Sequence, residues 1–147
     1  MRLFKPTTVI ILLLLLSVVV AAQQKKTLQL EDYKDWNRIS NTALSPNGEW
    51  MTYSYSPNEG DATFYIRKIN ADTVYSNINA KRISFSDNNQ WVAFLVDPAK
   101  EEAEKLRKQK QSVNSTLHIY NLSNNTVEAF KDVRAFSLSE NSAYIAI

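Results

Sequence analysis

Catalysis through an acyl-enzyme needs a nucleophile, a base and an acid close together, and this chain supplies few candidates. His118 is the only histidine, and a base of that kind needs a nucleophile and an orienting acid nearby. The nucleophile elbow Gly-x-Ser-x-Gly cannot be written, because the only glycines, Gly48 and Gly60, lie twelve positions apart in predicted turns. His118 alternates with Leu117 and Ile119, which favours an ordinary strand residue. We therefore predict no catalytic residue in these 147 residues.

Metal and nucleic-acid sites are equally unsupported by the residue types. Structural zinc takes four nitrogen or sulfur ligands, whereas the chain has one histidine and no cysteine. The basic run Lys105–Lys110 follows Glu101, Glu102 and Glu104 on the same predicted helix, so its charge is compensated locally. We predict no metal, no cofactor and no nucleic-acid partner.

Two possible binding features have simpler structural interpretations. Trp36, Trp50 and Trp91 could stack on a ligand, but Trp50 and Trp91 recur at one place in a repeat, which favours core packing. The pair Glu101–Glu102 lies in a run of charges without aromatic neighbours, which favours a solvated helix face.

A short pattern occurs three times and predicts the fold. Its copies begin at Leu44, Phe85 and Leu138, which are 41 and 53 residues apart. They read Leu44-Ser45-Pro46-Asn47-Gly48-Glu49-Trp50, Phe85-Ser86-Asp87-Asn88-Asn89-Gln90-Trp91 and Leu138-Ser139-Glu140-Asn141-Ser142-Ala143-Tyr144. Each copy has a serine, a polar turn whose residues tolerate left-handed angles, and an aromatic residue that opens a strand. A period of roughly 40–50 residues built from short strands is typical of β-propeller blades.

The first 22 residues have the features of a secretory signal peptide. Arg2 and Lys5 form a basic start, the run to Val20 is almost wholly apolar, and small residues precede a cleavage point after Ala22. The alternative is an uncleaved membrane anchor, but the apolar run is shorter than the ~20 residues of a spanning helix. The absence of cysteine excludes a lipoprotein and favours a bacterial periplasmic or cell-surface location.

The mature chain is electrically balanced and carries three glycosylation sequons. Removal of the leader takes two of the 17 basic residues, so the mature chain has as many basic residues as its 15 acidic ones. The sequons begin at Asn114, Asn121 and Asn124; they are polar turns in a bacterial protein and glycan acceptors in a eukaryotic one.

The remaining chain is predicted to be all-β, as a partial β-propeller of about two and a half antiparallel meanders. A linker and a short helix occupy 23–41, with the helix over Thr27–Trp36, Thr27 as its N-cap and Leu30, Tyr33 and Trp36 on one face. Blade units are expected near 42–80, 81–131 and 132–147. A charged helical insertion is expected at 97–112, with Asp97 as its cap and with Glu101–Lys105 and Glu104–Lys108 as stabilising pairs. Because a complete propeller has about 4–8 blades, we expect this chain to be an amino-terminal fragment.

Three stretches resemble the start of a secreted prolyl oligopeptidase-family (S9-type) serine peptidase, in particular the long forms of Bacteroidetes-type bacteria. They are Asp32-Tyr33-Lys34-Asp35-Trp36-Asn37-Arg38-Ile39, the first repeat at Leu44–Trp50, and Glu59-Gly60-Asp61. The resemblance implies an amino-terminal propeller that covers an α/β-hydrolase domain bearing Ser, Asp and His, and that admits peptides but excludes folded proteins. Those catalytic residues would lie beyond Ile147. Some dipeptidyl-peptidase relatives hold a substrate amino terminus with paired glutamates, a role we do not assign to Glu101–Glu102.

The expected function is therefore that of a propeller segment gating peptide access to a serine peptidase. The expected partner is a peptide substrate, with no membrane association after the signal is cleaved. The alternatives are a non-catalytic envelope propeller that binds a protein or glycan, and a propeller that serves as an envelope sensor or transport accessory.

Overall fold

The computed structural model describes residues 27–147, so the predicted signal peptide (1–22) and the polar linker after it lie outside the described residues. Within 27–147, no helix is long and apolar enough to cross a membrane. The chain divides after Asp32, and the second unit, Tyr33–Ile147, is compact. The strands and the α-helix all belong to the second unit.

The short helix predicted over Thr27–Trp36 is present as a shorter 3-10 helix at Leu30–Asp35. The backbone N–H of Asp32 donates to Gln29 O at 3.1 Å, a tight turn that spans three residues. Helix nucleation is unfavourable in a segment this short. Leu30, Tyr33 and Trp36 are all exposed, so burial of their side chains does not stabilise a longer helix.

The second unit is all-β with one short helix, as predicted for the fold class at this level. Its strands are antiparallel neighbours in two four-stranded meanders and one hairpin. They are β1 (Asn37–Leu44), β2 (Trp50–Pro57), β3 (Thr63–Lys68), β4 (Thr73–Ile78), β5 (Ala80–Phe85), β6 (Trp91–Val96), β7 (Ser115–Asn121), β8 (Val127–Val133), β9 (Ser137–Leu138) and β10 (Ile145–Ala146). Helix α1 (Lys100–Lys108) lies between β6 and β7. Strands β1–β4 form the first sheet, β5–β8 the second sheet, and β9–β10 the terminal hairpin. The described residues contain no closed ring of sheets.

Strand β1 was not predicted, because 23–41 reads as a linker and helix. Two features remove the alternating pattern that marks a strand. Asn41 has a φ of 51°, and the register shifts between Ser40 and Ala43, so a bulge breaks the period of two. β1 is also an edge strand with most residues exposed, so no apolar alternation is needed. Strand β6 begins at Trp91, the aromatic residue that the second copy of the repeat predicts to open a strand.

The three copies of the repeat form the same hydrogen-bonded turn. In the first copy, Trp50 N donates to Ser45 Oγ at 2.9 Å, and Ser45 Oγ donates to Asn47 Oδ1 at 2.7 Å. The same bonds join Trp91, Ser86 and Asn88, and again Tyr144, Ser139 and Asn141. Gly48, Asn89 and Ser142 occupy equivalent positions with positive φ. The repeat is therefore a structural unit in which the serine hydroxyl closes the turn.

The sheets stack face to face around two clusters of buried side chains. The first cluster joins Trp50, Phe64 and Ile66 of the first sheet to Val92, Phe94, Tyr120 and Leu122 of the second sheet and its following turn. The rings of Phe64 and Phe94 lie 4.8 Å apart. The second cluster lies on the opposite face of the second sheet, where Ala93, Leu95 and Leu117 contact Phe136 and Ile145. Each fully buried valine, leucine, isoleucine or phenylalanine side chain contributes about 1.5–3 kcal/mol to the stability of the folded state.

Neighbouring turns at one end of the stack are also bonded to each other. Asn47 N donates to Asn89 Oδ1, and Asp87 N donates to Ser142 Oγ, each at 2.9 Å. Because each bond joins one copy of the repeat to the next, the repeat sets the contacts between sheets as well as the turn within each sheet.

Candidate functional site

His118 lies in a half-buried aromatic and amide cluster between the two sheets. Its ring centroid is 5.5 Å from that of Phe94, its partner across β6 and β7. Its Nδ1 lies 3.3 Å from Tyr75 Oη and 3.4 Å from Asn77 Nδ2, and Asn77 Nδ2 donates to Tyr75 Oη at 2.8 Å. Burial lowers the pKa of His118, so the ring is neutral at pH 7. Burial also raises the pKa of the Tyr75 hydroxyl, which keeps it protonated. The cluster places no serine hydroxyl or carboxylate against His118, so this geometry is that of packing between sheets.

The start of helix α1 is held by Asp61, a residue of the first sheet's β2–β3 loop. Asp61 Oδ1 accepts a 2.8 Å hydrogen bond from Lys100 N and a 2.6 Å bond from Asn79 Nδ2. The Asn79 bond, together with the Lys100 amide and charge, outweighs burial and lowers the pKa of Asp61. The prediction that Asp97 caps this helix is wrong, because the N-cap is Ala99 and it makes no side-chain cap bond.

Asn79 links the first sheet, the second sheet and the segment leading to α1. Its own N–H and Oδ1 bond Ala62 O and Ala62 N, at 2.9 Å and 3.0 Å, and its Nδ2 also donates to Pro98 O at 3.2 Å. Asp97 N donates to Asn79 O at 3.2 Å. With a φ of 46°, Asn79 occupies the left-handed region that asparagine tolerates, and it makes the one-residue connection from β4 to β5.

Asp97 forms an ion pair within the second sheet instead of capping the helix. Its Oδ1 lies 2.7 Å from Lys81 Nζ and accepts a 2.6 Å hydrogen bond from Ser115 Oγ. Burial by itself raises the pKa of Asp97. The hydrogen bonds from Lys81 and Ser115 and the charges of Lys81 and Arg107 outweigh it, so the pKa is lowered. Asp97 is therefore ionised and fixes the edge strand β5 to the end of β7.

The charged face of α1 is solvated, as predicted. Glu101 and Glu102 are exposed, Ala103 is buried and Leu106 is partly buried. Among residues 27–147 the ion pairs join Lys34 to Glu59 and Lys81 to Asp97. The predicted pairs Glu101–Lys105 and Glu104–Lys108, which lie within that range, are therefore not formed. Exposed pairs of this kind gain little over separate hydration of the two ions.

The three tryptophans lie in three different environments. Trp50 is 8 % exposed in the first core cluster, with Lys68 Nζ 5.9 Å from its ring, which confirms the prediction of core packing. Trp91, its repeat equivalent, is partly buried and lines a cleft of about 350 Å³ between the second sheet and the terminal hairpin. Trp36 is 52 % exposed, with its ring 6.1 Å from that of Tyr33.

A surface that the sequence did not single out is the tyrosine face, formed by Tyr53, Tyr55 and Tyr65 on the side of the first sheet opposite Trp50. Tyr53 and Tyr65 stack at 5.2 Å, and Tyr55 lies 5.4 Å and 5.7 Å from them. In the repeat, Tyr53 corresponds to Phe94, which is fully buried against the first sheet. Alignment of β2 with β6 from the repeat would have found this equivalence.

Among residues 27–147, no three histidine, cysteine, aspartate or glutamate side chains cluster closely enough to hold a metal ion. Three polar clefts lie around the base of α1. Two of about 530 and 510 Å³ flank the helix, and one of about 370 Å³ lies beside β5 and the segment that precedes β7. The described residues thus offer binding surfaces but do not assemble an acid, a base and a nucleophile.

A scan of the chain against protein-family models found no match, and a search of curated proteins also found none. The resemblance to prolyl oligopeptidase-family propellers therefore stays a prediction that depends on the motifs within this chain.

Proposed function

We propose that this chain is the amino-terminal β-propeller segment of an exported serine peptidase, in which it controls the access of peptides to an α/β-hydrolase domain. The observation that carries the proposal is the turn that repeats three times with the same serine, asparagine and aromatic hydrogen bonds. Successive copies also contact each other through Asn47–Asn89 and Asp87–Ser142.

The direction of stacking supports a ring of sheets. The face of the first sheet that bears Trp50 packs on the second sheet, and the equivalent face of the second sheet, bearing Ala93, packs on the terminal hairpin. Since every step uses the same pair of faces, continued stacking would rotate in one direction, as propeller blades do.

The tyrosine face gives independent support. Tyr55 is 42 % exposed, and Ile39 and Leu44 on the same side of the first sheet are 60 % and 63 % exposed. The equivalent surface of the second sheet is covered by the first sheet. A closed ring would cover the tyrosine face in the same way.

The test is to recover the native polypeptide from its source with an antibody raised against residues 27–147. A fluorophosphonate probe, which reacts with activated serines, is applied to native and heat-denatured samples. We expect a polypeptide larger than 16.8 kDa that labels only when native. Recovery of an unlabelled chain of 16.8 kDa or less would refute the peptidase proposal.

A second candidate is a non-catalytic envelope propeller that binds a protein or glycan. It uses the same repeated turn and stacked sheets, which are common to propellers with and without a hydrolase domain. A larger native polypeptide that carries further repeats but does not react with the probe would support this alternative.

A further inference from the structure

The two edge strands that face each other in the stack carry only cationic charged residues. β1 and β5 are the first strands of their sheets, and they contact each other. β1 contributes Arg38, β5 contributes Lys81 and Arg82, and the segment before β9 contributes Arg134. No aspartate or glutamate occurs in β1, in β5 or in 134–138. We call Arg38, Lys81, Arg82 and Arg134 the edge cations.

Three of the edge cations are available to a ligand. Arg38, Arg82 and Arg134 are exposed, and among the described residues none of them forms an ion pair. Lys81 is the exception, since it pairs with Asp97 at 2.7 Å. The cations of α1, by contrast, share their helix with Glu101, Glu102 and Glu104.

The backbone places Arg82 where one sheet meets the next. Arg82 has a φ of 52° at the β5 bulge, which corresponds to Asn41 at the β1 bulge. Asn41 Nδ2 crosses to Ala80 O of β5 at 2.8 Å, so this bulge position lies at the junction between consecutive edge strands.

A polar cleft of about 370 Å³ lies at the same edge. It is lined by Lys81 and Arg134, together with Ser112 and Asn114, and the Nδ2 of Asn114 donates to Asp132 Oδ1 at 3.0 Å. Arginine guanidinium groups bind carboxylates through two parallel hydrogen bonds, and hydroxyl and amide groups supply further donors. This combination of charge and donors complements a carboxylate.

We propose that the edge cations form a binding surface for peptides rich in aspartate and glutamate side chains. If the proposed propeller is correct, the first strands of its sheets line the central passage, and this surface would favour acidic peptides on the route to the hydrolase domain. A passage lined by one sign of charge concentrates ligands of the opposite sign. Binding to the surface itself requires only the residues described above.

The test measures fluorescence polarisation of a labelled, acetylated and amidated peptide of alternating Glu and Ser with the purified chain. An otherwise identical Gln–Ser peptide reports binding without charge. We expect the Glu peptide to bind the more tightly, with an affinity that falls between about 0.01 M and 0.15 M salt, as the Debye length shortens from roughly 30 to 8 Å. The variant R38Q/R82Q/R134Q is expected to bind about tenfold more weakly.

The matched control is K105Q/K108Q/K110Q, which removes the same net charge from the solvated helix. It is expected to bind within about twofold of the unmodified chain, because exposed charges far from a ligand are screened. Circular dichroism verifies folding, and single R38Q and R82Q variants replace the triple variant if that one unfolds.

Three results would overturn the proposal. They are equal binding of the Glu and Gln peptides, equal losses in the two triple variants, and tighter binding of a single-stranded oligonucleotide of matched charge. The last would identify the surface as a nucleic-acid site. None of these measurements depends on peptidase activity, so failure here is distinguishable from failure of the proposed function.

Discussion

Removing the turn serine from each copy of the repeat should destabilise the protein unequally, in an order that depends on burial. Ser86 Oγ accepts hydrogen bonds from Trp91 N at 2.9 Å and from Gln90 N at 3.2 Å, and donates to Asn88 Oδ1 at 2.7 Å. In Ser86→Ala the N–H of the partly buried Trp91 loses this acceptor, while Gln90 N keeps its bond to Asn88. An unsatisfied buried donor costs about 1–3 kcal/mol, so we expect a loss of about 2 kcal/mol in the free energy of unfolding.

The other two copies serve as matched comparisons. Ser45 is equally buried and accepts from Trp50 N at the same 2.9 Å, so Ser45→Ala should also cost about 2 kcal/mol. Tyr144 in the third copy is 79 % exposed, so water can replace the hydroxyl in Ser139→Ala, and the change should stay within about 0.5 kcal/mol.

The measurement is urea unfolding followed by tryptophan fluorescence and circular dichroism on the three purified variants. The slope of the free energy against urea should stay constant while the midpoint shifts, which shows that stability has changed and the surface exposed on unfolding has not. Equal losses in Ser139→Ala and Ser86→Ala, or a loss below about 0.5 kcal/mol in Ser86→Ala, would refute the reasoning that burial sets the cost.

The remaining predictions concern Asp61, His118 and the cleavage point after Ala22. Asp61→Ala should destabilise the protein by about 1 kcal/mol in urea unfolding while Asp61→Asn, which keeps an acceptor for Lys100 N, should cost less than half of that; equal losses would contradict the capping role. Because the pKa of Asp61 is lowered on folding, its contribution is present above the ordinary carboxyl pKa of about 4 and is lost as pH falls through the folded value, so the unmodified chain and Asp61→Asn should converge in stability in strong acid. Because burial lowers the pKa of His118, stability should fall as pH drops below the unfolded value of about 6.5, and His118→Gln should remove this dependence; an unchanged pH profile would show that His118 is not responsible. Intact-mass measurement of the exported protein should place Gln23 at the amino terminus, whereas a retained Met1 would indicate a membrane anchor.

Strand β6 and the turn before it were predictable because their causes are local. A polar turn with Ser86 and Asn89 precedes a run of apolar residues, and the same pattern occurs three times in the chain. Strand β1 was not predictable in the same way, because it is an exposed edge with a bulge at Asn41, and neither feature leaves an alternating pattern. The helix predicted over Thr27–Trp36 is shorter, at Leu30–Asp35, and of the 3-10 type, because Leu30, Tyr33 and Trp36 are all exposed and no burial supports a longer helix.

The candidate site shows the same contrast between features with local causes and features with long-range causes. The position of Trp50 in a packed core followed from its recurrence in the repeat. The cap on α1 did not follow from the sequence, because Asp61 lies 39 residues before Lys100 and belongs to the other sheet, whereas Asp97 is the local candidate. Asp97 is instead held by Lys81 and Ser115, partners that approach it only when β5, β6 and β7 pair.

The sequence by itself determined the all-β class, the repeated turn and the absence of a nucleophile elbow in these residues, since each depends on residue type and short spacing. The tertiary structure decided which faces of the sheets are buried, which carboxylate caps the helix, and that the edge strands β1 and β5, which carry Arg38 and Arg82, contact each other. The physical reason is that turn formation is governed by bonds over a few residues. Burial and charge complementarity depend on strands that are distant in the chain, and their partners are known only once the sheets have stacked.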